Sequence, residues 1–141
     1  MLRFTKILTV GWWHWKRKSC KGRTMTTYFD KSEFDCKCQC GANEVKPKLI
    51  DMLNVAREDA GIPFTITSGT RCEVNNALSG GAPDSAHLNG WAVDIHAVSS
   101  RARYTILKAL LGAGFTRIGI GSTFIHADCD PSKFEEVIWK Y

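Results

Sequence analysis

The chain has 141 residues, 44% hydrophobic and 23% charged, the balance of one globular domain with its own core rather than two domains or a disordered chain. No apolar run approaches the roughly 20 residues that a bilayer-spanning helix needs, so stable membrane insertion is not expected. The formal charge is +5, but residues 1–25 carry seven basic residues (Arg3, Lys6, Lys16, Arg17, Lys18, Lys21, Arg23) and no acid, leaving 12 basic against 14 acidic residues in the remainder. The remainder is slightly acidic, so no nucleic-acid footprint is expected on the folded part.

Residues 1–25 also hold Trp12, Trp13 and Trp15. The basic start followed by Ile7-Leu8-Thr9-Val10 hints at a secretory signal. The apolar stretch is short, however, runs into His14-Trp15-Lys16-Arg17-Lys18, and meets no small-residue cleavage site. The segment reads as a disordered extension, or as a mis-assigned start with Met25 opening the protein proper. A basic arm touching a membrane or an anionic polymer is the competing reading. The domain itself is expected over residues 26–141.

Tyr28 to Phe34 reads as a short helical turn or irregular entry into Cys36-x-Cys38-x-Cys40, whose cysteines would share one face of a strand. That spacing is not the C-x₂-C of common structural zinc sites, and no second pair stands at the usual distance. With Cys20, Cys72 and Cys129, these cysteines read as buried free thiols, a disulfide or a small second metal site being the alternatives. Residues 45–60 place Val45, Leu49, Leu53 and Ala56 at helical spacing, and Gly61-Ile62-Pro63 ends the helix. Residues 63–67 read as a strand stopping at Ser68-Gly69-Thr70. A polar loop then carries Arg71, Asn75, Asn76 and Gly80-Gly81.

From Gly90 onward the chain alternates as a strand, with Ala92, Asp94 and His96 on one face and Trp91, Val93 and Ile95 on the other. Ser99 or Ser100 caps a helix over residues 100–113 that buries Ile106, Leu107, Leu110 and Leu111. Residues 115–120 and 123–127 form a hairpin around Gly121-Ser122. Asp130-Pro131 signals the start of a last helix ending near Tyr141. The order predicts an α+β domain with a small, mostly antiparallel sheet packed with helices.

Asp94 lies within an apolar strand, where a carboxylate is costly unless a cation or hydrogen-bond donors meet it. Only four histidines occur, His14, His87, His96 and His126. His87, Asp94 and His126 would supply two imidazoles and a carboxylate, a set that suits zinc with a fourth position open for water. The spacing alone leaves open that each strand histidine is simply a hydrogen-bonded structural residue.

The pattern Ser85-x-His87-x-x-Gly90-x-Ala92-x-Asp94, followed by Phe124-Ile125-His126-x-Asp128, resembles the zinc D-alanyl-D-alanine carboxypeptidase family. Its members are bacterial and phage carboxypeptidases and L-alanyl-D-glutamate endopeptidases with the Hedgehog/DD-peptidase fold. Phe34-x-Cys36-x-Cys38 resembles the family's entry segment. Ser68-Gly69-Thr70-Arg71 and Asn75 through Gly80-Gly81-Ala82 resemble its substrate loop.

The resemblance implies zinc held by His87, Asp94 and His126, and a peptidoglycan stem peptide as substrate. Arg71 would bind the peptide's carboxylate, a task suited to a planar bidentate donor. Ser85 would hydrogen-bond the substrate or the His87 loop, and Gly90 would give the backbone room at the site. Where many relatives carry an acidic residue or histidine as general base, this chain has Thr123 and Phe124. Asp128 is then the catalytic candidate, with three roles open: base, carboxylate orienting His126, or cap of the final turn. His96 is a weaker candidate.

A monomeric peptidase made in a bacterial or phage-infected cytoplasm and acting on the wall is the expectation. A peptidoglycan-binding or virion module that keeps the metal without catalysis is the alternative. A nucleic-acid binder using the arm and the cysteines is a third reading.

Overall fold

The computed structural model describes residues 26–141, and the expectations for residues 1–25 lie outside the described residues. A single 3-10 turn, Lys31–Phe34, sinks Phe34 into the core. Helix α1, Pro47–Ala60, opens on proline at its first turn, where the missing N–H costs no hydrogen bond. It closes at Gly61, whose φ of 62° is the left-handed cap that glycine adopts without steric cost. Helix α3, Ser100–Gly112, starts at Ser99, whose Oγ accepts from Ala102 N at 3.1 Å. These two helices pack on each other and bury Leu49, Leu53, Ala56, Ile106, Ala109 and Leu110.

The strands are β1 (Ile66–Ser68), β2 (Ala92–His96), β3 (Arg117–Ile120), β4 (Phe124–Asp128) and β5 (Val137–Lys140). They form one sheet in the order β1-β2-β4-β3-β5, antiparallel except for the parallel β3–β5 edge pair. The expected α+β architecture is what is found. Alternation along the strands divides the faces. Val93, Ile95, Ile118, Ile125 and Ala127 join the helices in the core, while Asp94 and His126 stand directly opposite each other on the other face.

Three expectations change. Residues 131–141 do not form a helix. Asp130 does act as a local cap, accepting from Ser132 N at 2.9 Å and Ser132 Oγ at 2.7 Å. The turn goes no further, because Glu136 takes a left-handed φ of 59°, and β-prone Val137-Ile138-Trp139 completes the ladder beside β3. The expected polar loop after Arg71 contains helix α2, Glu73–Leu78. Only Asn76 of this helix is buried, so no apolar stripe announced it. The Cys36–Cys40 segment is a tight turn rather than a strand, with Gln39 at φ 63°; Cys38 and Cys40 are exposed, not buried.

Candidate metal centre

The central row of the sheet builds the site. Ser68, Asp94, His126, Gly119 and Trp139 lie side by side across the five strands. His87 comes from the turn before β2 and is held by two backbone links: Arg71 N donates to His87 O at 3.0 Å, and Trp91 N to Ala86 O at 3.0 Å. Ser85 Oγ accepts from His87 N at 3.4 Å, so its hydroxyl shapes the His87 turn. Gly90 ends that turn at φ 73°, and a Cβ there would lie 1.9 Å from the Glu44 carbonyl oxygen. Glycine is therefore needed for the close crossing that lets Lys46 N donate to Gly90 O at 3.0 Å.

His87 Nε2, Asp94 Oδ1 and His126 Nδ1 meet at one point, with separations of 3.2, 2.9 and 3.2 Å. All three residues are buried. His87 Nδ1 lies 2.6 Å from the Gly69 carbonyl oxygen, which can only accept, so the neutral ring carries its proton on Nδ1 and leaves Nε2 a lone pair. His126 Nε2 lies 3.1 Å from Asp128 Oδ2, and by the same logic Nδ1 is the free nitrogen. With both rings neutral, two lone pairs and a carboxylate oxygen face one another, an arrangement that either a proton on a ring or a metal cation must satisfy. Separations of this size suit a shared zinc ion at about 2.0–2.2 Å from each ligand.

The electrostatics agree. Burial pushes the His87 imidazole below its ordinary pKa. Burial also opposes ionisation of Asp94, but hydrogen bonds from His126 and His87 overcome it and hold the carboxyl well below the usual range. At His126 burial is outweighed by hydrogen bonds to Asp128 and Asp94, which raise the pKa. The buried Asp128 is held low by His126 and Arg117.

Around this floor opens a cleft of about 600 Å³ lined by Arg71, the 79–86 segment, Arg117, Phe124, Lys133, Trp139 and Tyr141. Arg71 Nη2 donates to Asp94 Oδ2 at 2.6 Å and its Nε to Ser68 Oγ at 2.8 Å, so the expected substrate anchor also braces a candidate metal ligand. Asp128 uses both oxygens, Oδ1 accepting from Arg117 Nε at 2.7 Å and Oδ2 facing His126. His96 is exposed at the end of β2 and stands outside the cluster.

Residues 27–128 match the family described as Peptidase M15. The chain belongs to peptidase family M15. M15 peptidases are zinc-dependent, and His87, Asp94 and His126 are candidate ligands of the right chemistry. No curated protein matches the chain.

The M15 match ends at Asp128, and the residues beyond it that reach the site were missed by sequence reasoning. Trp139 and Tyr141 pack over the His126 ring at centroid distances of 5.4 and 6.3 Å. Gly119 makes room for them, since a Cβ there would fall 2.7 Å from Tyr141 and 2.8 Å from Trp139. Arg117, over the Trp139 ring at 5.4 Å, was missed as well; nothing in its local sequence marks it as a partner for Asp128.

Proposed function

We propose that this M15 peptidase hydrolyses the peptide stems of bacterial peptidoglycan, as a D-Ala-D-Ala carboxypeptidase or an L-Ala-D-Glu endopeptidase. The observation that carries the proposal is the buried triad of His87, Asp94 and His126 at the floor of an open cleft. Each acid lining the cleft already has a cationic partner: Asp94 with Arg71, Asp128 with Arg117, Asp84 with Lys133. A dication on the triad therefore leaves the cleft net positive, which favours a peptide bearing free carboxylates.

His87 Nε2, Asp94 Oδ1 and His126 Nδ1 would hold a zinc ion, which would supply Lewis acidity toward an amide carbonyl and water. The chain's own residues position the substrate and the candidate ligands. Arg71 spends Nε and Nη2 on Ser68 and Asp94 and keeps Nη1 for the peptide carboxylate, which sets the amide over the metal. Ser85 fixes the turn that presents His87. Asp128 holds the His126 ring so that Nδ1 faces the metal, the role of a supporting carboxylate. Tyr141, largely exposed on the cleft wall, offers a phenolic hydrogen-bond donor there. The protein acts as a monomer on the wall after synthesis in a bacterial or phage-infected cytoplasm.

A second reading is favoured by one observation: none of the described acids lining the cleft lacks a cationic partner. On that reading the chain is a peptidoglycan-binding or virion module that keeps the metal without cutting. Incubating the zinc-loaded protein with purified sacculi separates the two. New free amines, with mass spectrometry identifying the severed amide, support the peptidase. Sacculi that retain the protein but yield no amine support the binding module.

A further inference from the structure

The four cysteines near the entry to the fold form a cluster that the peptidase chemistry does not use. Cys36, Cys38, Cys40 and Cys72 bring their sulfurs within 4.8 Å of one another, although Cys72 is more than thirty residues further along the chain. Cys36 Sγ and Cys38 Sγ are 3.3 Å apart, and Cys38 Sγ and Cys72 Sγ 3.6 Å. A disulfide would need about 2.05 Å. Four thiolates around one tetrahedral zinc at about 2.3 Å stand about 3.8 Å apart, close to the separations found.

The backbone is arranged for sulfur ligands. Gln39 takes φ 63°, unusual for a residue with a side chain, and so curls the chain between Cys38 and Cys40. Cys36 N donates to Ala42 O at 2.9 Å and Gln39 N to Cys36 O at 3.1 Å, closing the turn. Three donors point at the sulfurs: Cys72 N and Asn75 Nδ2 to Cys36 Sγ, and Asn75 N to Cys72 Sγ, each at 3.4 Å. Such N–H groups support thiolate charge in metal sites. The fifth described cysteine, Cys129, lies apart, with its sulfur toward the Trp91 carbonyl.

We propose that Cys36, Cys38, Cys40 and Cys72 form a second, structural zinc site. On binding, each thiol gives up its proton to solvent and four thiolates close around the ion, with no open position for substrate. The site ties two stretches that already touch. Thr70 N donates to Phe34 O at 2.9 Å, and a Cβ on Gly69 would meet the Phe34 backbone at 2.6 Å. Since Arg71 precedes Cys72, the ion clamps the arginine that braces Asp94 and walls the cleft.

The test is metal content of the full chain purified with zinc under reducing conditions. The wild-type protein is expected to hold two zinc ions. His87→Ala should keep one, and titrating its thiols with a mercurial should release that ion. Cys38→Ser and Cys40→Ser, at exposed positions, should each drop the wild-type count from two to one, the remaining ion being insensitive to the mercurial. Cobalt in the His87→Ala protein should give a thiolate-to-metal charge-transfer band that Cys38→Ser abolishes. A wild-type protein with one zinc, none of it lost in Cys38→Ser and Cys40→Ser, overturns the site. So does an intact mass showing these cysteines joined in disulfides. Because His87→Ala empties only the cleft, failure at the cysteines leaves the peptidase reading to be judged separately.

Discussion

Asp128→Asn is the substitution that most sharply separates two roles for that residue. The carboxylate presents one oxygen to Arg117 Nε at 2.7 Å and the other to His126 Nε2 at 3.1 Å, and it is almost fully buried. An asparagine of the same shape has one acceptor oxygen and one NH₂ group, so either Arg117 or the His126 ring N–H must face a donor. If His126 loses its acceptor, the ring is no longer held with Nδ1 toward Asp94. Removing such a supporting partner lowers metal affinity by about 10–100-fold, or about 1.4–2.8 kcal/mol. Zinc affinity measured by competition with a chromophoric chelator, beside amine release from sacculi, reads both consequences. Weaker zinc binding, with turnover recovered at saturating zinc, is the expected result. Unchanged zinc affinity with abolished turnover would refute the orienting role and make Asp128 the group that takes the proton.

The geometry carries three further expected outcomes. Arg71→Lys keeps the charge but cannot serve Ser68, Asp94 and a peptide carboxylate together; zinc content should hold while KM for a carboxylate-ended peptide rises about tenfold, the worth of one lost charged hydrogen bond, and an unchanged KM in steady-state kinetics would count against the anchor. Gly90→Ala must place a Cβ 1.9 Å from the Glu44 oxygen at φ 73°, so urea unfolding should show a loss of at least about 2 kcal/mol; a loss below about 0.5 kcal/mol, the range of an ordinary surface change, would contradict the close crossing. The stabilisation conferred by zinc should grow as pH rises from about 5.5 to 8, around the ordinary imidazole pKa of about 6.5.

The sign of that last effect comes from His126, whose folded pKa is raised. Its protonated form stabilises the metal-free protein below the unfolded value, and that contribution is lost as pH rises through the folded one. Zinc requires the unprotonated ring, so its advantage increases over the same window. Thermal unfolding with and without zinc gives the difference directly, and a flat difference across the range would contradict it.

Much of the site was legible because its signals are local. Asp94 in an apolar strand announces a need for a cation, and the β2 and β4 alternation puts Asp94 and His126 on one face. Helices α1 and α3 carry their apolar stripes and caps in plain view. The features that escaped are tertiary. The Asp130-Pro131 signal is a real cap, but it closes only one turn, and the pairing of Val137 with Arg117 makes the C-terminal segment a strand. That strand brings Trp139 and Tyr141 over His126. Helix α2 hides because it covers no core, and Cys72 joins Cys36, Cys38 and Cys40 only through the packing of the Phe34 and Gly69 backbones.

The most direct measurement is to strip the protein of metal, return zinc stepwise, and monitor amine release from purified sacculi. Hydrolysis should be absent without metal, appear as the His87, Asp94 and His126 site fills, and stay absent at every zinc level in His87→Ala and Asp94→Ala. Fully zinc-loaded wild-type protein that releases no amine, or a His87→Ala protein that hydrolyses at the wild-type rate, would contradict a zinc peptidase built on this triad.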